Sequence, residues 1–193
     1  MLFRDRTEAG ERLAEVLALY RHPSPLVLAT SPSAIPIGAA VAKALGAPHD
    51  LLLARAIGPA EAVHPLGGVA DPGVHVIQRP LCRMLGLAEG EIERMVTREL
   101  VRLAQQRQQL CGDRALPDLA GKSVILINDG LRCDGAARAA IRGARMLGAA
   151  RVIVAAPIGI EEVIESLCAD ADEVVCVYAA EEWDAASSHY AHA

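Results

Sequence analysis

The chain has 193 residues, a net charge of −5, 52% hydrophobic residues and only 3% aromatic ones. Lys and Arg are scattered rather than gathered into a stripe, which argues against a nucleic-acid partner, and no run reaches the ~18 apolar residues of a membrane helix. The five cysteines show neither metal nor redox spacing and the N-terminus is charged where a signal peptide would turn apolar, so a single domain in the reducing cytoplasm is expected, with a core of Ala, Leu, Val and Ile.

Leu13, Val16, Leu17 and Tyr20 recur at helical spacing, predicting an amphipathic helix over 5–20 whose Arg4-Asp5-Arg6-Thr7 start faces water. A short buried strand follows at 25–30, and then an Ala-rich helix over 35–45, closed by Gly46-Ala47-Pro48. Asp50 to Arg55 reads as the next strand. The segment 56–77 reads as a flap, because Asp71-Pro72-Gly73 between apolar stretches is a hairpin signal. Ile92, Met95, Val96, Leu100, Leu103 and Leu110 define the longest helix, over 88–110.

The remainder alternates: strand 122–127, helix 135–147, strand 151–155, helix 160–168, strand 173–177. Short connections between such elements imply right-handed crossovers. The expected architecture is therefore an α/β fold with a three-layer, mostly parallel central sheet, helices on both faces and a small flap.

The stretch 124–137 carries the most functional information. Four apolar residues form a strand, Asn128 and Asp129 stand at its carboxyl end, and a loop feeds a helix whose first N–H groups face the sheet edge, where a sugar phosphate would bind.

Several segments, taken together, resemble the type I phosphoribosyltransferases, in particular a bacterial branch. They are Phe3-Arg4-Asp5-Arg6 with Ala9-Gly10, Ile35-Pro36, Ala54 to Gly58, Gly67 to Ala70, Val124 to Leu131, and Ala155-Ala156-Pro157. The resemblance spans nearly the whole chain. It implies transfer of phosphoribosyl from phosphoribosyl diphosphate (PRPP) to a nitrogenous acceptor in nucleotide metabolism, with Mg2+ on the diphosphate. Asn128 and Asp129 fall on the acid pair that binds the ribose hydroxyls, Asp129 being the candidate catalytic and magnesium-binding residue. Arg132, Cys133, Asp134, Gly135, Ala136 and Ala137 fall on the loop that holds the 5-phosphate. Ser33, Ala34 and Arg55 fall on the diphosphate side.

The same alignment exposes departures from the family pattern. Cys133-Asp134 replaces Thr-Gly, Ala136 replaces a second Thr, Pro32-Ser33-Ala34 replaces Arg-Gly-Gly, Ala56 replaces Lys, and Val63 replaces Glu. Each removes a cation, an amide or a hydroxyl from a site that must hold a strongly anionic substrate. A degraded PRPP site is therefore expected, with PRPP or a nucleotide as the residual ligand. The alternative is a catalytically silent scaffold acting as a homo-oligomer or with a paralogue.

Individual residues carry two readings each. Asp134 either caps the helix and fills the anion site from within, or is a plain N-cap. Arg132 either replaces the lost phosphate contact or is solvated. Cys133 is either a thiol activated by the helix terminus or a small substitute for Thr. Arg55 either faces the diphosphate or pairs with an acid. His189, Tyr190 and His192 show no ligand pattern, and Trp183 and Tyr190 are the aromatics of a tail packed on the surface or loose.

Overall fold

The computed structural model describes residues 3–18, 25–58, 64–181 and 190–191. Helix α1 (Arg6–Leu17) begins at Asp5, whose carboxylate accepts the Glu8 N–H at 2.9 Å. Strand β1 (Leu26–Ala29) leads through a 3-10 turn at Pro32–Ala34 into α2 (Ile35–Leu45). Gly46, in the left-handed region at φ 62°, ends α2 where its sequence signal stands. The expected extension of α1 to Tyr20 falls outside the described residues.

The stretch read as one strand over Asp50 to Arg55 is two. Strand β2 (His49–Leu51) pairs with β1, whereas β3 (Ala54–Ile57) belongs to a second sheet with β4 (Gly67–Ala70) and β5 (Val74–Ile77). The chain changes sheet at Leu52 and Leu53, both fully buried. An unbroken apolar run carries no mark of where its hydrogen-bonding partner changes. The expected hairpin at Asp71-Pro72-Gly73 joins β4 to β5.

A short helix not anticipated from the sequence, α3 (Arg79–Met84), precedes the long α4 (Glu89–Cys111). Then β6 (Ser123–Ile127), α5 (Gly135–Met146), β7 (Arg151–Ile160), α6 (Glu161–Leu167) and β8 (Glu173–Ala180) complete the chain. Strand β7 continues past the predicted Ala155 because β8 pairs with it as far as Ala180. Since β6 stops at Ile127, Pro157 costs no ladder bond on that side.

The main sheet is parallel throughout, in the order β2-β1-β6-β7-β8. Its strands are apolar on both faces. Val27, Ile125 and Ile153 join the core under α1, α2 and α4, while Leu28, Leu126 and Val154 join the core under α5 and α6. The small antiparallel sheet lies lengthwise along α5. A Cβ added at Gly68 would sit 2.1 Å from the Gly135 carbonyl oxygen, and one at Gly143 would sit 2.1 Å from the Asp71 carbonyl oxygen. Among the described residues no helix is long and apolar enough to cross a membrane.

Candidate functional site

In the main sheet the connections run one way from β1 to β2 and the other way from β6 to β8, so the crevice between the carboxyl ends of β1 and β6 is where an α/β sheet of this order binds ligands. Thr30 and the pair Asn128-Asp129 stand there. The Thr30 hydroxyl lies 2.9 Å from the Ile127 carbonyl oxygen and 3.0 Å from Asn128 Oδ1. Asn128 is buried, and its bond with Thr30 ties β1 to β6.

Asp129 is the accessible acid of the pair, and both of its oxygens are engaged. Oδ2 accepts from Arg6 Nε at 3.2 Å and Nη2 at 3.1 Å, and Oδ1 accepts from the Tyr190 hydroxyl at 2.6 Å. The Arg6 guanidinium stacks 4.8 Å above the Tyr190 ring. Tyr190 also packs on Phe3, the Ala191 N–H donates to the Phe3 carbonyl at 2.9 Å, and Phe3 meets Tyr178 edge-on. Both ends of the chain thus converge on Asp129. Arg6, expected to face water, and Tyr190, expected only to pack or hang loose, are the partners of Asp129 that sequence reasoning missed. The Phe3 to Arg6 match to the family was the signal that pointed near one of them.

Burial, and then the Asp129 carboxylate, push the Tyr190 phenol well above its ordinary range. The folded protein therefore keeps Tyr190 neutral at pH values where the unfolded chain loses its proton. Its contribution to stability is complete below the usual tyrosine pKa of about 10 and is lost as the pH rises through and beyond that value. In paired thermal melts, wild type is expected to lose its advantage over Tyr190→Phe above pH about 10, while the two curves run parallel from pH 7 to 9. A constant difference across the whole range would remove Tyr190 as the titrating group.

The loop after β6 does not expose a helix end. Leu131 is buried and bonded to β7 on both sides, its N–H to Ile158 and its carbonyl to Ile160. Asp134 is 2% exposed but does not cap α5. Its backbone is helical (φ −87°, ψ −21°), where a capping residue is extended, so its carboxylate points along the helix. It accepts from Arg138 Nε at 2.9 Å and Gln78 Nε2 at 3.4 Å. Burial pushes the Cys133 thiol up rather than activating it, although the N–H groups of Gly135 and Ala136 act in the opposite direction. Gly135 and Ala137 are buried, Ala136 is half-buried, and Arg132 is half-buried in the same loop.

The turn after β1, where the resemblance placed the diphosphate, is closed on itself. The Ser31 hydroxyl accepts the Ala34 N–H at 3.3 Å and lies 3.0 Å from the Ser33 hydroxyl, and Ala34 is buried. Of its two readings, Arg55 takes the structural one. Its Nε donates to Glu99 of α4 at 3.2 Å, and Glu99 is a buried carboxylate that also meets Arg98 and Arg102. Val63, Trp183, His189 and His192 lie outside the described residues.

Among the described residues no three His, Cys, Asp or Glu side chains come together as a metal group, and Asp129 already spends one oxygen on a guanidinium.

Parallel strands in this order, a strand-loop-helix at the switch point and a small antiparallel sheet beside it define the class: this is the type I phosphoribosyltransferase fold. The purine phosphoribosyltransferase of Pyrococcus horikoshii superposes with a TM-score of 0.50 at 16% identity, covering 92% of this chain and 85% of that one. The protein TT1426 from Thermus thermophilus superposes with a TM-score of 0.79 at 30% identity, covering 100% of this chain and 91% of that one. A Mycobacterium tuberculosis protein named "Putative phosphoribosyl transferase" is 31% identical over 177 residues. That match takes in 91% of this chain and 40% of the relative, so the chain spans less than half the length of the curated relatives it matches. No family model matches the chain. The chain thus has the type I phosphoribosyltransferase fold, and over part of their length it is similar in sequence to proteins named putative phosphoribosyl transferase.

Proposed function

We propose that this protein binds a phosphoribosyl compound, PRPP or a nucleotide, at Asp129 and turns PRPP over slowly or not at all. The observation that carries the reading is the engagement of Asp129, the retained acid at the switch point, by Arg6 and Tyr190. Ribose hydroxyls reaching Asp129 would displace the Tyr190 hydroxyl, and the Arg6 guanidinium would then be placed to meet a phosphate oxygen. Transfer demands more than binding. As an acceptor nitrogen bonds to ribose C1, the C1–O bond to diphosphate breaks, and the negative charge on the departing oxygens needs donors or cations. The turn Ser31 to Ala34 carries no cationic side chain, and Arg55 is committed to Glu99.

The test is a calorimetric titration of the full chain with PRPP in magnesium buffer, alongside an assay for released diphosphate. Binding is expected, tightened about tenfold in Tyr190→Phe by removal of one hydrogen bond to a charged group, and lost in Asp129→Ala, with no diphosphate release above the uncatalysed rate. Rapid diphosphate release with an acceptor base would replace this reading with an active transferase. Silence in both wild type and Tyr190→Phe would favour the second reading, a scaffold engaging another copy or a paralogue. That reading is supported by the same closed arrangement at Asp129.

A further inference from the structure

A second opening, with Asp129 not among its lining residues, lies beside the outer strand of the small sheet. It is a cavity of about 400 Å³ lined by Val74, His75 and Ile77 of β5, Arg79 of α3, and Arg142 and Met146 of α5. That volume falls in the range of small-ligand sites. Arg142 stands seven residues into α5, about 10 Å along the helix from the loop after β6. The lining holds two guanidiniums, an imidazole and three apolar side chains, and no carboxylate.

In a chain with net charge −5 this is an unusual lining, because its arginines are mostly matched to acids. On α5 itself, Arg138 pairs with Asp134 and Arg145 pairs with Asp172 at 2.5 Å. Arg142, between them, has neither an ion pair nor a hydrogen bond among the described residues, and neither has His75. Arg79 meets Glu89, which lies outside the cavity lining. An exposed guanidinium with no carboxylate to answer it, flanked by two more nitrogen donors, presents a planar fork to a phosphate. Met146, 67% exposed, with Val74 and Ile77 offers apolar surface beside it.

We propose that this cavity binds a small phosphomonoester, its phosphate on Arg142, Arg79 and His75 and its carbon body against Val74, Ile77 and Met146. The site is independent of Asp129 and of the reading proposed for it. Phenyl phosphate is a suitable probe because it joins a phosphate to an apolar ring and carries no ribose.

The experiment is a nitrogen-resolved NMR titration of the full chain with phenyl phosphate, repeated with Arg142→Ala and Arg94→Ala. Both arginines are exposed and unpartnered, so neither change should disturb the fold, and only Arg142 lines the cavity. Saturable shifts centred on the amides of His75, Ile77 and Met146 are expected. The dissociation constant should rise about tenfold in Arg142→Ala and stay unchanged in Arg94→Ala. Shifts that remain linear in ligand, that centre on residues 128–135 instead, or that survive Arg142→Ala would overturn the proposal.

Discussion

Replacing Gly68 with Ala should lower the melting temperature by roughly 6–12 °C, the equivalent of about 3 kcal/mol for a chain of this size. The added Cβ would stand 2.1 Å from the Gly135 carbonyl oxygen and 2.5 Å from its carbonyl carbon. Neither atom belongs to a side chain that could rotate away, so β4 or the first turn of α5 must move. Room for this approach comes from α5 itself. Gly135, Ala139 and Gly143 stand four residues apart on one face of the helix, and the chain meets that face from Gly68 in β4 to Asp71 in the turn that follows. The consequence reaches the crevice, because the first turn of α5 carries the Cys133 to Ala137 loop. Gly90→Ala is the matched control: nothing lies within 4 Å of its added Cβ and its φ is ordinary, so it should be neutral or slightly stabilising by helix propensity. Thermal melts of the two variants side by side check the result, and similar melting temperatures for both would refute the close-approach account.

Removing the Asp71 side chain should cost about 3 kcal/mol, read from denaturant unfolding of Asp71→Ala. This carboxylate is 5% exposed at the β4–β5 turn and accepts the Leu53 N–H at 3.0 Å and Arg107 Nη1 at 3.0 Å. It ties three parts of the fold together: the point where the chain leaves the main sheet, the hairpin of the small sheet, and α4. Burial pushes the Asp71 carboxyl up despite both donors, so the charge itself is not a large net gain. The loss in the variant comes from donors left behind. A buried N–H and a mostly buried guanidinium would each lose an acceptor, although Arg107 keeps the Arg114 carbonyl at 3.2 Å. Asp71→Asn retains an acceptor for Leu53 and should fall between wild type and Ala. Equal losses for Asn and Ala would instead place the whole effect in the ion pair.

Much of the architecture was legible because local signals and burial agreed. The bounds of α2 match the expected 35–45, since Pro36 stands in its first turn and Gly46 supplies the left-handed residue at its end. The alternation after Gly121 led to the parallel sheet because strands apolar on both faces need helices on both sides. The loop after β6 was legible as an α5 entry with Asp129 at the end of β6, and there the sequence stopped being sufficient. Whether Asp134 caps the helix depends on its backbone angles and on Arg138 competing for the carboxylate, and the capping preference of Asp says nothing of that competitor. Arg55 had two readings until Glu99, 44 residues away, proved to be its partner.

What the sequence by itself determined was the class of fold, the order of its elements and the place where a ligand would be sought, because periodicity and turn chemistry act within a few residues of each other. What only the tertiary structure decided was who meets whom at that place. Arg6 reaches Asp129 across 123 residues and Tyr190 reaches it across 61. The chain leaves one sheet for another inside an unbroken run of leucines, and two glycine-bearing backbones close on each other at the start of α5. Contacts of this kind are selected by packing and charge among elements far apart in the chain, and no local pattern records them.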